Sequence, residues 1–516
     1  MKFKKNVLAF AALAGAVSTL AGCGGKKPFD YTTLDFSVDT EGVAIKMWNP
    51  FGSDMEGFLA EVIEDFQDET GIEVELISKG SYDQLKDAIT LGAGKDKIPH
   101  ICLAYPDHMA DYVNIDVILR LDYFFENDPD HDFAISDFYS DYMVENQTIE
   151  PKEDGSGYYT LGVPFNKSTE LMFYNKTMVE WAKGLDDSIE IPATWDELAT
   201  VCGKITTLLE QQQIFGYILG TDGNKYNKMA DLPEGVDVVL KFDGITRDKF
   251  IPAYYDSQAN FFITAIRQWG GTYTEVDYDT RRGYLAFDSQ ETINALTALD
   301  EIHDAGYLGI PAEFGGTAKY GSAYFKNWQS IFAIGSSAGS ANNVPTGNAF
   351  ETGVAPIPYH SADKKFAISQ GTNLALLDHG TIPERIAAWK LLKYLSKYGN
   401  GKWSAFSGYF PACEYAVQSD DYQNIMMKAN NPDYEQTQRP TAAQALKYYS
   451  AKVNNETYMS DSEGWIKFVD PAFVGSSSIR EALNAAMGLL FISNYTPRQV
   501  IDYFYNDGSM SQYVRK

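Results

Sequence analysis

Between Val43 and Ala104 the apolar residues change period four times, and nothing else in the chain constrains its fold as tightly. Val43, Ile45 and Met47 alternate, as a strand with one buried face does. Met55, Phe58, Leu59, Val62, Ile63 and Phe66 then recur at helical spacing. Thr70-Gly71 closes that helix with the residue that best tolerates a left-handed C-terminal turn. Ile72, Val74 and Leu76 alternate as a second strand, Leu85 and Ile89 mark a second helix, and Ile98 to Ala104 reads as a third, buried strand. This order predicts a parallel sheet with helices on its faces. Ligands of such sheets bind beyond the carboxyl ends of the strands.

The pattern continues downstream. Leu171 to Tyr174 is strand-like, and Thr194-Trp195-Asp196-Glu197 reads as a capping box opening a helix through Leu198, Val201 and Ile205. Residues 222–258 are charged and irregular, and read as an insertion or lid. Phe332 to Ile334 is a short strand; Ala355 to Pro358 and Asn373 to Leu377 flank a further strand pair. The last third is helical, with Ile386, Trp389, Leu392 and Leu395 on one face and Ile479, Leu483, Met487 and Leu490 on another. Thr496-Pro497 opens the final helix. The acidic loop Asn127 to Asp132 reads as solvated; as a Ca²⁺ loop it lacks the glycine and closing glutamate of an EF-hand.

The N-terminus carries a different message. Lys2, Lys4 and Lys5 precede the apolar run Val7 to Val17, which is shorter than the ~20 residues that span a bilayer. Leu20-Ala21-Gly22-Cys23 follows. The stretch resembles a bacterial lipoprotein signal: residues 1–22 would be removed, Cys23 would be lipidated, and residues 23–39 would be a tether. The remaining chain would work outside the cytoplasm, held at a membrane by more than one acyl chain.

The 516 residues suffice for more than one lobe. A formal charge of −28 excludes nucleic acid as a partner, because phosphates demand clustered Lys and Arg. Cys102, Cys202 and Cys413 are too far apart for a zinc site and, being odd in number, form no disulfide framework; they read as buried hydrophobes. The six histidines form no metal-spaced cluster, so no metal or cofactor is expected. The chain carries no G-x-S-x-G, H-E-x-x-H or P-loop. With 70 acidic residues, carboxylate pairs of the glycosidase kind are uninformative, and a secreted glycoside hydrolase or esterase remains the alternative, beside an adhesin without a small ligand. The 34 Tyr, 30 Phe and 8 Trp include enough rings to offer sugar-stacking faces as well as core.

Four segments in order resemble the extracellular solute-binding proteins of carbohydrate-type ABC importers: Lys46-Met47-Trp48-Asn49-Pro50-Phe51, Leu161 to Glu170 running into Phe173-Tyr174-Asn175-Lys176, Pro192 to Leu198, and Ala387 to Leu395. Within that family the glycerol-phosphate-binding branch is the nearest likeness. Lys79-Gly80-Ser81-Tyr82, Pro164 to Thr169, Gly335 to Ser340, Ser407 to Pro411 and Ser478-Ile479-Arg480 resemble its ligand-contact segments. The resemblance implies an α/β, two-lobe fold of the periplasmic-binding type II class with a hinged cleft. Lobe one would take 40–167 and 336–382, lobe two 168–335 and 383–516, and Val163 to Thr169 would be the first crossing. It implies Tyr82 and Tyr409 as ligand tyrosines and Asp107 as the carboxylate for glycerol or sugar hydroxyls, one methylene shorter than the branch's Glu. Ser168, Ser336, Ser337 and Arg480 would hold a phosphate, and Gly371 would make a backbone contact. The branch's ligand Trp has Tyr254, Tyr255 and Phe261 as candidates here, and Trp48 either faces the cleft or packs. The partners implied are a sugar, oligosaccharide or glycerol phosphate, the ABC permease that receives it, and the membrane through the lipid; the protein would act as a monomer and not as an enzyme.

Overall fold

A computed structural model describes residues 29–95, 97–277, 280, 282–318, 320–424, 441–459, 463–506 and 508–515. Cys23, the signal segment and the first part of the tether lie outside these residues. No helix among the described residues is long and apolar enough to cross a membrane.

The expected alternation opens the chain. Strands β1 (Ala44–Asn49), β2 (Glu73–Ser78) and β3 (Ile101–Ala104) are parallel, with β1 between the others. The connecting helices are Ser53–Thr70 and Tyr82–Ala93. Gly71 ends the first with φ 70°, its N–H returning to the Gln67 carbonyl. Ser81 caps the second through the Gln84 N–H.

Two long strands decide the architecture. β4 (Val163–Asn175) carries a run of buried residues, as a strand covered on both faces must. Its first half, Val163 to Thr169, pairs antiparallel with β14 (Lys365–Leu376), whose last residues pair with β3. Its second half pairs with β12 (Phe332–Ser336) on one side and β13 (Thr352–Pro356) on the other. The remaining strands are β5 (Ile218–Gly220), β6 (Lys225–Tyr226) and β7 (Val238–Lys241) in a small separate sheet, β8 (Ala253–Tyr255), the hairpin β9 (Thr274–Asp277) with β10 (Arg282–Leu285), β11 (Leu308–Gly309) and β15 (Trp465–Phe468). The main sheet thus runs β11-β8-β12-β4-β14-β3-β1-β2, with β13 beside β4 and β15 beside β14.

Along β4 the core changes. Val163 and Phe165 pack with Ile45, Met47, Ile101 and Leu103, whereas Leu171, Met172 and Phe173 pack with Trp195, Phe261, Ile334 and Leu483. β14 switches in the opposite sense, Ala367 and Ile368 in the second core and Leu374 and Leu376 in the first. The other face of the first sheet buries Trp48, Leu85, Cys102, Tyr112 and Ala375. β4 and β14 are therefore the paired crossings between two bodies.

The expected division of the chain needs correction at its second boundary. Ile357, Ala367 and Ile368, assigned to lobe one, pack in the second core; Ile386, Trp389, Leu392, Trp403 and Cys413, assigned to lobe two, pack in the first. Helical periodicity states which face is apolar but not which sheet that face covers. Of the segment 222–258, the part from Leu240 onward is no lid: Leu240, Phe242, Phe250 and Ala253 to Tyr255 are buried in the second core, and β8 joins the main sheet, whereas 222–237 are mostly exposed. The acidic loop is exposed at Asn127, Asp130, His131 and Asp132, as a solvated loop is, but Asp128 is buried and two lysines meet its carboxylates. Lys393 lies 3.1, 2.8 and 2.5 Å from carboxylate oxygens of Asp128, Asp130 and Asp132, Lys397 pairs with Asp132, and the Trp389 indole donates to Asp128 at 3.0 Å. Cys102, Cys202 and Cys413 are buried and free.

A polar network ties the crossings. Lys167 is fully buried and ion-paired with Glu145, and it also donates to Asn373 Oδ1 at 2.8 Å. Asn373 donates to Glu145 Oε1 at 2.9 Å and Asn146 donates to Asn373 at 2.9 Å. Asn166 donates to Thr372 and accepts from the Trp403 indole at 2.6 Å. Gly371 adopts φ 127°, and a Cβ there would stand 1.6 Å from the Asn166 carbonyl oxygen. Only glycine fits that close approach of the two strands.

Candidate ligand-binding cleft

Where the two bodies face each other the structure leaves a cavity of about 580 Å³, within the usual range for small-molecule sites. The first body contributes Tyr105, Asp107 and His108 from the start of the helix Pro106–Asn114, and Tyr409. The crossing strands contribute Ser168, Glu170, Ser369, Gln370 and Gly371. The second body contributes Asp256, Asn260, Tyr273, Ser336, Asp470 and Arg480. Asp256 lies just past the carboxyl end of β8 and Ser336 at that of β12, where the parallel-strand pattern directs a ligand.

Six of the eight expected ligand residues line this cavity: Asp107, Ser168, Ser336, Gly371, Tyr409 and Arg480. Tyr82 does not. Its hydroxyl lies 3.3 Å from that of Tyr409 and its ring 4.7 Å from that of Tyr105, so it backs the two tyrosines that do. Ser337 is fully buried; its hydroxyl accepts the Thr169 N–H at 3.2 Å, which removes it from the ligand set. Tyr254, Tyr255 and Phe261 are core, with Tyr255 stacked on Phe261 at 4.4 Å and 7°. Trp48 is buried under Lys79, whose ammonium lies 3.6 Å from the ring centroid.

Arg480 stands at the cavity but not free. It pairs with Asp470 and donates to Asn260 Oδ1. Burial is the largest influence and opposes its charge, but Asp470 together with Tyr273, Asp107 and Tyr105 lifts the guanidinium above its usual pKa. Asn260 in turn donates to Glu170 at 2.7 Å and to Gln370 at 2.8 Å. Glu170 also accepts from the Tyr255 hydroxyl. Burial pushes the Glu170 carboxyl up to about 7, and burial likewise raises Asp256, which accepts the Gly321 N–H at 2.7 Å. His108 is held neutral, since burial lowers its pKa. Two buried hydroxyls at the cavity, Tyr273 Oη and Ser369 Oγ, have no hydrogen-bond partner among the described residues.

Glu170, Asp256, Tyr273 and Asp470 escaped the sequence reading. Glu170 closes the segment Leu161 to Glu170 and so carried a signal. Asp256, Tyr273 and Asp470 reach the site only by folding, from loops with no recognisable pattern.

Across the cavity edge the two bodies touch. Asp111 of the helix Pro106–Asn114 accepts the Gly475 N–H at 3.0 Å and the Ser477 hydroxyl at 2.9 Å. These groups lie at the start of the helix Ser476–Ala482 of the other body.

Residues 61–428 match the sequence profile described as bacterial extracellular solute-binding protein. A curated relative is the sn-glycerol-3-phosphate-binding periplasmic protein UgpB of Shigella dysenteriae, 25% identical over 292 residues. That match spans 54% of this chain and 56% of the relative, a little over half of its length. Among solved structures, UgpB from Mycobacterium tuberculosis in complex with glycerophosphocholine superposes with a TM-score of 0.64 at 16% identity, over 89% of this chain and 96% of that one. An ABC substrate-binding protein from Listeria monocytogenes in complex with cycloalternan superposes with a TM-score of 0.64 at 14% identity, over 92% and 100%. These likenesses bear out the α/β two-lobe fold of solute-binding proteins.

Proposed function

The chain belongs to the bacterial extracellular solute-binding proteins, and on that premise we propose that it is the capture subunit of a carbohydrate-type ABC importer. A polyhydroxylated solute enters the cavity between the bodies. Closure is favoured because only the closed form makes both sets of contacts, and the closed form presents the solute to a membrane permease unchanged. A lipid on Cys23 tethers the protein outside the cytoplasm. The observation that carries the reading is the cavity itself: hydroxyls, carboxamides, carboxylates and tyrosines from both bodies converge on one space, as sugar hydroxyls require.

Between sugar and glycerol phosphate the lining favours sugar. A phosphate needs an available guanidinium, and Arg480 is already engaged by Asp470 and Asn260. It would also face Asp107, Glu170 and Asp256. The lobes we assign are the described residues of 40–167 with about 371–424, and those of 168–370 with 441–515, after the core memberships.

A thermal-shift panel of mono- and oligosaccharides, glycerol 3-phosphate and glycerophosphodiesters tests this. A solute at a hundred times its Kd adds about 2.7 kcal/mol of stability. Saccharides are expected to raise the melting temperature and glycerol 3-phosphate is not. Stabilisation by glycerol 3-phosphate that Arg480→Ala abolishes would restore the phosphate site. Multiple turnovers of an oligosaccharide would replace a binding protein with an enzyme.

A further inference from the structure

The cleft is charged in one direction. Its lining holds seven carboxylates, Asp83, Asp107, Glu145, Glu170, Asp256, Asp470 and Glu481, against the single guanidinium of Arg480. Lys167 neutralises Glu145 and Arg480 neutralises Asp470. Asp83 and Glu481 are exposed at the rim, where water screens them. Asp107, Glu170 and Asp256 remain, and among the described residues no lysine or arginine forms an ion pair with any of them.

Buried carboxylates without a counter-charge are costly, and proteins ordinarily pair them or hold a cation against them. Glu170 is 1% exposed; its direct donors, the Tyr255 hydroxyl and the Asn260 amide, are neutral, and the Arg480 guanidinium that also acts on it is already paired with Asp470. Asp256 has one oxygen on the Gly321 N–H and lies beside Gly335, where a Cβ would come within 3.2 Å of its own Cβ. The strand register relates the two: Asp256 follows Tyr255, which pairs with Ile334, and Ser336 two residues on pairs with Glu170. Both acids thus belong to one end of three adjacent strands.

A second observation, independent of charge, marks this space as awaiting a ligand. Tyr273 Oη and Ser369 Oγ belong to residues only 4% exposed, line the cavity and hydrogen-bond to nothing among the described residues. Unmade hydrogen bonds at buried hydroxyls are costly, and a bound solute is what supplies them. Tyr105 and Tyr409 add aromatic surface to the same lining, which favours a cation over an anion.

We infer that the solute is an amine-bearing carbohydrate, its ammonium held by Asp256 and Glu170 and its hydroxyls by Tyr273, Ser369 and Asp107. The inference rests on the reading of the cleft as a carbohydrate site. A neutral sugar satisfies the hydroxyls but leaves the carboxylates uncompensated; an ammonium brings donors and the missing charge together.

The test is calorimetric titration of the mature chain with glucosamine oligomers of two to six units, their N-acetylated counterparts and glucose oligomers of the same lengths. The amine form of at least one length is expected to bind about tenfold or more tightly than its N-acetylated counterpart, the worth of one charge-assisted hydrogen bond. Asp256→Asn is expected to bring the ratio of amine to N-acetylated affinity to within about twofold of unity, and Glu170→Gln supplies the second variant should the first fold poorly. Equal affinity for amine and N-acetylated forms, or binding of neutral oligomers alone, overturns the amine while leaving sugar capture intact. Binding of no oligomer overturns the amine and removes this support from the carbohydrate reading as well.

Discussion

Replacing Asp111 by alanine separates closure from ligand contact, because Asp111 bridges the two bodies without lining the cavity. Its carboxylate accepts the Gly475 N–H and the Ser477 hydroxyl, both on the opposite body. Hydrogen bonds to a charged group contribute roughly 1.5–3 kcal/mol each, and water replaces part of that when the bodies separate. Burial also raises the Asp111 carboxyl, which marks a desolvation cost against the gain. The net loss on Asp111→Ala is then about 1–2 kcal/mol, on the order of 5- to 30-fold in the population of the closed form. Apparent affinity falls by the same factor when closed molecules are the minority, since Kd scales inversely with the competent fraction. The assay is calorimetric titration with whichever solute stabilises the wild type, joined to small-angle scattering of the unliganded protein. Weaker binding, a larger radius of gyration without ligand and a smaller effect for Ser477→Ala are expected. An unchanged Kd with an unchanged radius would refute the bridge as a determinant of closure.

Three further outcomes follow from the crossings and the cleft. Gly371→Ala forces a Cβ onto the Asn166 carbonyl at a positive φ, and urea titration should show a loss of about 3 kcal/mol or more; a loss below about 1 kcal/mol would mean that the strands yield easily. Lys167→Met leaves Glu145 buried and unpaired, at about 3–5 kcal/mol, and adding Glu145→Gln should recover much of it; a double variant no better than the single one contradicts the pairing. The third concerns pH. Glu170 has a folded-state pKa of about 7 against an ordinary 4.5, so the native state holds a proton that the unfolded chain releases between those values. Its contribution is full below pH 4.5 and lost as pH rises through 7, a fall of ~3 kcal/mol that Glu170→Gln should abolish. Parallel stability profiles for the two proteins across that window would show that Arg480 and the Tyr255 and Asn260 donors keep Glu170 ionised.

What local chemistry dictates was readable in the chain. The parallel β1-β2-β3 unit follows from alternation interrupted by helical spacing. The caps at Gly71 and Thr194 follow from side-chain and backbone preferences that act within four residues. Ser168, Gly371 and Tyr409 were placed at the cleft by resemblance, and they line it. Tertiary structure alone decided the rest. That Trp389 and Trp403 cover the first sheet, that Lys393 and Lys397 occupy the acidic loop, and that Ser337 is consumed by a backbone amide are all long-range pairings. The fate of Arg480 is the sharpest case. The resemblance implied a phosphate for it, yet Asp470 and Asn260 meet it only in the folded chain, and a charge's role is set by its nearest neighbours in space, which sequence distance does not record.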